Sequence, residues 1–167
     1  MDFSKTEHIA SVLTTQFPEV NITYQAGLIQ PFIEIEKSAL VTICKFLQES
    51  PDFYFDYLNL ITAHDNGPEN GSMELWYHIS SIPNDITVVL KVVLERGTDE
   101  NPCEIDSLTS LWKTADWHER EAFDLLGVHF KNHPDLRRIL LPADWEGHPL
   151  RKDYTEAETY HEIKIKY

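Results

Sequence analysis

Cysteine is scarce in this chain. Its two cysteines, Cys44 and Cys103, stand 59 positions apart. They are too few for an iron–sulfur or zinc site of their own and do not form a secreted disulfide framework. Long apolar runs are also missing. The most apolar stretch, residues 86–94, is interrupted by Lys91 and is well short of the ~18 residues that a membrane helix needs. Basic charge is low: 14 Lys and Arg face 28 Asp and Glu, for a net charge of −14. A chain so acidic has no general footprint for nucleic-acid phosphates. No glycine-rich phosphate loop is present, because Gly67 and Gly71 have neither a P-loop lysine nor a following helix. No serine or cysteine stands in a recognisable nucleophile context. The first residues, MDFSKTEHIA, show neither a basic n-region nor an apolar h-region. A signal peptide is therefore not expected, and the cytoplasm is the expected compartment.

What is present reads as ordinary globular material. The 167 residues, 42% hydrophobic and 25% charged, suit one domain with an arm. Ile9, Val12, Leu13 and Phe17 are spaced for an amphipathic helix over 6–17, which Pro18 ends. Residues 21–25 and 32–36 alternate like half-buried strands, joined by a turn with Gly27 and Pro31. Ser38 is placed to cap a second helix whose stripe is Ala39, Leu40, Ile43, Cys44 and Leu47. The segment FYFDYLNLITAHD fits strand or helix. Residues 73–80 and 86–94 are strong strands, with a hairpin connection at 81–85 and a polar loop at 96–102. This order predicts an α+β fold, a mostly antiparallel sheet with helices packed on one face.

The second half changes character. Residues 107–115 suggest a short helix, and 116–126 (DWHEREAFDLL) the best helix of the chain, with Gly127 just past its end. Asp116 and Glu119 have capping-box spacing, and Asp116–Arg120 and Arg120–Asp124 are i,i+4 pairs. Glu119 and Glu121 lie about 200° apart on a helix, so they cannot face one pocket together. From residue 131, prolines and Gly147 interrupt regular structure, yet Leu136, Ile139, Leu140, Leu141, Trp145 and Leu150 are too apolar for a free loop. This predicts a core domain over 1–130 and an irregular extended C-terminal arm over 131–167 that docks on a partner and is looser without it. Residues 131–152 carry a net +2 on a chain that is otherwise −16, which marks either a contact surface or local ion pairing. His129, His133 and Asp135 have metal-ligand residue types, but with Pro134 between them and no helix the favoured reading is structural histidines. His118–Glu119 begins like a zinc-protease motif, but Ala122 occupies the position of the second ligand.

One stretch is more specific. Residues 111–154 carry Glu119-Arg120-Glu121, two positions, then Asp124-Leu125-Leu126. Six positions on stands His133, followed by Arg137, Ile139 and Leu140, and then by GHPLRKDY over 147–154. This pattern closely resembles the family of the C subunit of respiratory NADH–quinone oxidoreductase (respiratory complex I), the bacterial counterpart of the mitochondrial 30 kDa subunit. The resemblance extends more loosely back through DYLNLITAHD and MELWYHISS, while the tail after Tyr154 departs from it. It implies a non-catalytic subunit with no cofactor of its own, the FMN and iron–sulfur clusters residing in partner subunits. It implies a place in the peripheral arm of the proton-pumping complex, on the cytoplasmic side of the inner membrane, packed against the hydrogenase-large-subunit-like D subunit near the quinone site. Trp117, Glu119, Arg120, Glu121, Asp124, His133, Pro134, Arg137, Arg138, Trp145, Gly147, His148, Arg151, Lys152 and Asp153 are then the expected signature and interface residues. Within that set, Trp117 and Phe123 are expected to anchor the helix. Glu119, Arg120, Glu121 and Asp124 are expected to form desolvated ion pairs, within the chain or across to the partner, the arm cations to meet acidic groups, and Trp145 and Leu150 to plug onto the partner. The alternatives are the equivalent subunit of a membrane-bound hydrogenase or other-donor complex and, remotely, a metal-dependent hydrolase built on His118, His129, His133 and Asp135.

Overall fold

The computed structural model describes residues 5–26, 29–98, 101–156 and 158–164. The extreme N-terminus, Gly27 of the expected turn, the centre of the polar loop after residue 98 and the last three residues lie outside them. Helix α1 (Thr6–Gln16) buries Ile9, Ala10 and Leu13, three positions on one helical face. Strands β1 (Ile22–Gln25) and β2 (Phe32–Ile35) follow. A single 3-10 turn over Lys37–Ala39 leads into α2 (Leu40–Glu49), which buries Leu40, Ile43, Cys44 and Leu47. Ser38 caps nothing there. It lies inside the 3-10 turn, and its hydroxyl reaches only the Glu36 carboxylate.

The ambiguous segment resolves as strand β3 (Tyr57–Asp65). Its cross-strand pairing with β4 (Ser72–Ser81) decides the matter, because pairing with a neighbour settles what a mixed local pattern leaves open. Strands β4 and β5 (Ile86–Glu95) form the expected hairpin. The sheet order is β1-β2-β5-β4-β3. Every pairing is antiparallel except β2 with β5.

One face of this sheet meets α1 and α2 in a single core, to which Leu75, Tyr77, Ile79, Val88, Leu90 and Val92 contribute from the central strands. The fold is α+β, with helices on one side as the sequence predicts. The opposite face explains Lys91. Its ammonium lies 3.2 Å from Glu34 and 3.0 Å from Glu74, over the Phe32 and Trp76 rings. The charge inside the apolar run thus belongs to the outer face of a two-faced strand.

Residues 107–114 form turns rather than the expected short helix. Side chains tie this segment to the edge of the sheet and to α2: Trp112 Nε1 donates to the carbonyl of Phe55, Thr114 Oγ1 to that of Leu58, and Gln48 Nε2 to that of Leu111. Each bond fixes a turn where helix periodicity alone would have allowed another coil. Helix α3 (Ala115–Leu126) then runs beside β3. Strands β6 (Glu104–Asp106) and β7 (His129–Lys131) pair in parallel across it. Beyond β7, the described part of the arm has no regular structure except a short hairpin, β8 (Thr159–Tyr160) with β9 (Ile163–Lys164).

Candidate functional site

The chemistry of this chain concentrates where α3 meets the arm. A helix leaves its last four carbonyls without partners. Here Gly127 turns back in the left-handed region (φ 74°), and its N–H reaches the carbonyl of Phe123. The arm satisfies the others. The Asp124 carbonyl accepts from Arg138 (3.0 Å) and from His148 Nδ1 (2.9 Å). The Leu125 carbonyl accepts from the Leu150 N–H (3.0 Å), and that of Leu126 from Arg151 Nε (2.7 Å). Two guanidinium groups at the negative end of a helix are favoured by its dipole as well. Because His148 meets a carbonyl, Nδ1 must carry its proton. Burial holds this imidazole below its usual pKa, with the neighbouring Arg151 and Arg138 adding to the effect.

Asp124 is the centre of the clasp. Its side chain is fully buried. One oxygen takes Arg138 at 2.7 Å; the other accepts the backbone N–H groups of Ile139, Leu140 and Leu141 at 2.8–3.0 Å. Three successive amides wrapped on one carboxylate form an anion nest within the chain. Burial alone would raise this carboxyl, but the donors outweigh it and hold the pKa below its ordinary value. Arg138 also donates to the carbonyls of Trp145 and Gly147, so one side chain gathers three separate stretches.

A second carboxylate repeats this logic. Asp65, at the end of β3, accepts from Arg96 (2.8 Å), from the Gly67 N–H (2.9 Å) and from the Lys152 N–H (2.8 Å). Arg96 in turn donates to Asp153. Desolvation would raise Asp65, and these donors bring it down to about 2. Sequence reasoning missed Asp65 and Arg96. Each is one charged residue at a strand end, and nothing local distinguishes it from a solvated one.

The signature residues divide their work differently from the expectation. Asp116 and Glu119 form no capping box, because Thr114 occupies the N-cap position and Asp116 lies within the helix. Glu119 is fully buried and makes no ion pair among the described residues. Its Oε1 accepts the Leu108 N–H at 2.7 Å, and its Oε2 has no partner among the described residues. Burial pushes its pKa up to about 7, against the lowering effect of the Ser107 hydroxyl and the Leu108 N–H, with the Asp116 charge raising it further. Arg120 pairs with neither Asp116 nor Asp124. It donates to the carbonyls of Arg137 (3.1 Å) and Arg138 (3.2 Å) and lies over the Trp117 ring. Glu121 is exposed. The 200° separation of Glu119 and Glu121 is realised, one inward and one outward.

The remaining residues also take separate places. His133, its side chain wholly buried, accepts the Asp135 N–H on Nδ1 (3.0 Å). Its Nε2 therefore carries the proton and faces the carbonyl (3.3 Å) and carboxylate (3.4 Å) of Asp116. His129 stands 3.5 Å from Glu104. No three His, Cys, Asp or Glu side chains converge to hold a metal among the described residues. Trp117 does not anchor the helix inward: it is 61% exposed, while Phe123 packs partly against the core. Pro134 is exposed. The Arg137 guanidinium meets Asp135 at the surface. Of the arm cations, Arg138 meets an acid through its side chain. Arg151 meets a carbonyl, and Lys152 is held through its backbone. Trp145 packs against Tyr160 of the hairpin, whereas Leu150 is 58% exposed.

An α+β sandwich that closes the end of its last long helix with an irregular, charge-pinned arm is therefore the frame of this protein. Comparison with known proteins identifies it. Residues 33–160 match the family described as respiratory-chain NADH dehydrogenase, 30 Kd subunit. The C subunit of the NADH-quinone oxidoreductase of Geotalea uraniireducens is 44% identical over 120 residues, 72% of this chain and 70% of that one. The protein of the same name from Chlorobium phaeobacteroides is 34% identical over 157 residues, 93% of this chain and 92% of that one. A chain in the structure of the membrane-bound sulfane sulfur reductase, an archaeal respiratory membrane complex, shares the fold. Its TM-score is 0.73 at 21% identity, covering 91% of this chain and 86% of that chain. The chain belongs to the 30 kDa subunit family of respiratory-chain NADH dehydrogenase. No helix among the described residues is long and apolar enough to cross a membrane.

Proposed function

We propose that this chain is a non-catalytic structural subunit of a proton-pumping NADH–quinone oxidoreductase. It lies in the peripheral arm on the cytoplasmic side of the inner membrane, packed against the hydrogenase-large-subunit-like D subunit near the quinone site. It carries no cofactor of its own, and the flavin and iron–sulfur clusters belong to its partners. The observation that carries this reading is the use made of the signature residues. Asp124, Arg120, Arg138, His148 and Arg151 are occupied in shaping the arm. Groups so engaged present a surface rather than a reaction centre. The signature is then a specification for one rigid shape, and a rigid shape is what an assembly scaffold contributes.

The test is a tagged pull-down from native membranes in mild detergent. The partners are identified by mass spectrometry, and NADH–quinone activity is assayed on the eluate. Recovery with a flavin- and cluster-bearing assembly that oxidises NADH is expected. Recovery with a hydrogenase-type assembly lacking NADH activity would overturn the donor. Recovery of the chain alone would overturn the scaffold reading.

A further inference from the structure

Among the signature acids, Glu121 stands apart. Glu119 is buried against Leu108, and Asp124 is wrapped by the arm. Glu121 is exposed, and its carboxylate makes no ion pair or hydrogen bond with any described residue. Its surroundings are apolar. Trp117 and Leu125 lie one turn to either side of it on α3, on the same helical stripe. Leu60 of β3 and Leu150 of the arm border the shallow groove, of about 80 Å³, that Glu121 and Leu125 help to line. Trp117, Leu150 and Leu60 are 61%, 58% and 39% exposed. These are large apolar side chains clustered at one place rather than scattered singly, and such a cluster marks a contact surface.

A partner that covers this strip removes water from Glu121 as well. A carboxylate desolvated without a cation is strongly unfavourable, so a stable cover must bring one. No described residue supplies that cation. Arg120, the nearest guanidinium in sequence, is committed to the arm carbonyls, and Arg151 is committed to the end of α3. A second copy of the chain would bring another −14 of charge to the same face. We propose that the strip of Trp117, Glu121 and Leu125, with Leu60 and Leu150 beside it, docks an apolar segment of another subunit that presents a lysine or arginine to Glu121. The proposal rests on the reading that this chain is one component of a larger complex. It assigns the outward signature glutamate to partner recognition, while the inward ones serve the fold.

The test uses the full-length tagged chain expressed in cells that assemble the complex. Glu121→Lys is compared with wild type and with Glu69→Lys, a charge reversal in an exposed loop. Co-purified partner subunits are quantified, and the melting temperature of each purified chain is recorded. The expected result is a loss of about tenfold in recovered complex for Glu121→Lys, with unchanged melting temperature, and wild-type recovery for Glu69→Lys. Should Glu121→Lys fail to fold, Glu121→Gln, which keeps the size and removes the charge, carries the test with a loss of about threefold. Wild-type recovery of the complex by the Glu121 variants overturns this inference and leaves the scaffold reading standing. Failure of the wild-type chain to recover any complex overturns both. A concentration-dependent dimer of the isolated chain that Glu121→Lys abolishes overturns the partner in favour of a second copy.

Discussion

The backbone N–H of Lys152 donates to the carboxylate of Asp65 at 2.8 Å, across 87 positions of sequence. With Asp124, it gives two buried carboxylates, each collecting backbone amides and one guanidinium. The arm is thereby pinned to the domain at two places, residues 138–141 and Lys152. The apolar anchors of the arm lack neighbours in sequence, which is why the sequence predicts a loose arm. Its polar backbone has partners that only the fold brings near.

The first prediction follows from that pinning. Asp124→Ala removes the acceptor of three amides and leaves Arg138 half-buried without its counter-charge. The expected loss is about 3–5 kcal/mol. Hydrogen exchange on the full chain should show fast exchange at Ile139, Leu140 and Leu141 in the variant and protection in the wild type. Fast exchange in the wild type would show that the clasp is open.

Arg120 is worth less than an ion-pair reading implies. Its partners are two carbonyls and an aromatic face, so Arg120→Ala is expected to cost about 1.5–3 kcal/mol. The more conservative Arg120→Lys should recover only part of this, because an ammonium cannot span both carbonyls in one plane. Denaturant midpoints at constant m-value read the difference.

Gly127→Ala should be severe, because this glycine is buried under the arm. The residue sits at φ 74°, and an added Cβ would come within 2.7 Å of both Arg151 and His148. The left-handed backbone alone costs roughly 1 kcal/mol. The steric conflict additionally displaces two of the arm side chains that close the helix. Melting temperature should fall, and arm protection should fall with it.

Glu119 sets the pH dependence. Its folded pKa of about 7 lies above its ordinary 4.5, so the folded state holds a proton that the unfolded state releases. Stability from this group is complete below about pH 4.5. It declines as pH rises toward 7 and is lost above it, by about 3 kcal/mol in all. Asp65 acts in the opposite direction: held at about 2 against an ordinary 3.8, it stabilises above pH 3.8 and loses that contribution as pH falls through 2. Thermal unfolding should therefore be most resistant near pH 4–5. Glu119→Gln should flatten the decline between pH 5 and 8. An unchanged slope in that variant would show that another group carries it.

Much of the first half is legible in the sequence because its residues answer to local rules. Ile9 and Leu13, or Leu40, Ile43 and Leu47, repeat with the period of a helix. Residues 86–95 carry enough β-branched side chains to be a strand wherever they pack. The misreadings share a cause. The short helix over 107–115, the capping box and the i,i+4 pairs all follow from nearest spacing along the chain. In each case a distant group takes the hydrogen bond instead: the carbonyls of Phe55 and Leu58, the N–H of Leu108, and the carbonyls of Arg137 and Arg138.

By itself, then, the sequence determined the fold class, most of the elements and the family, since hydrophobic period and an ungapped motif are properties of the linear chain. Only the tertiary structure decided what each charge does. A buried carboxylate must find donors wherever the fold provides them. That requirement turned Glu119 inward to a backbone amide, bound Asp124 and Asp65 to an arm far along the chain, and left Glu121 alone facing out.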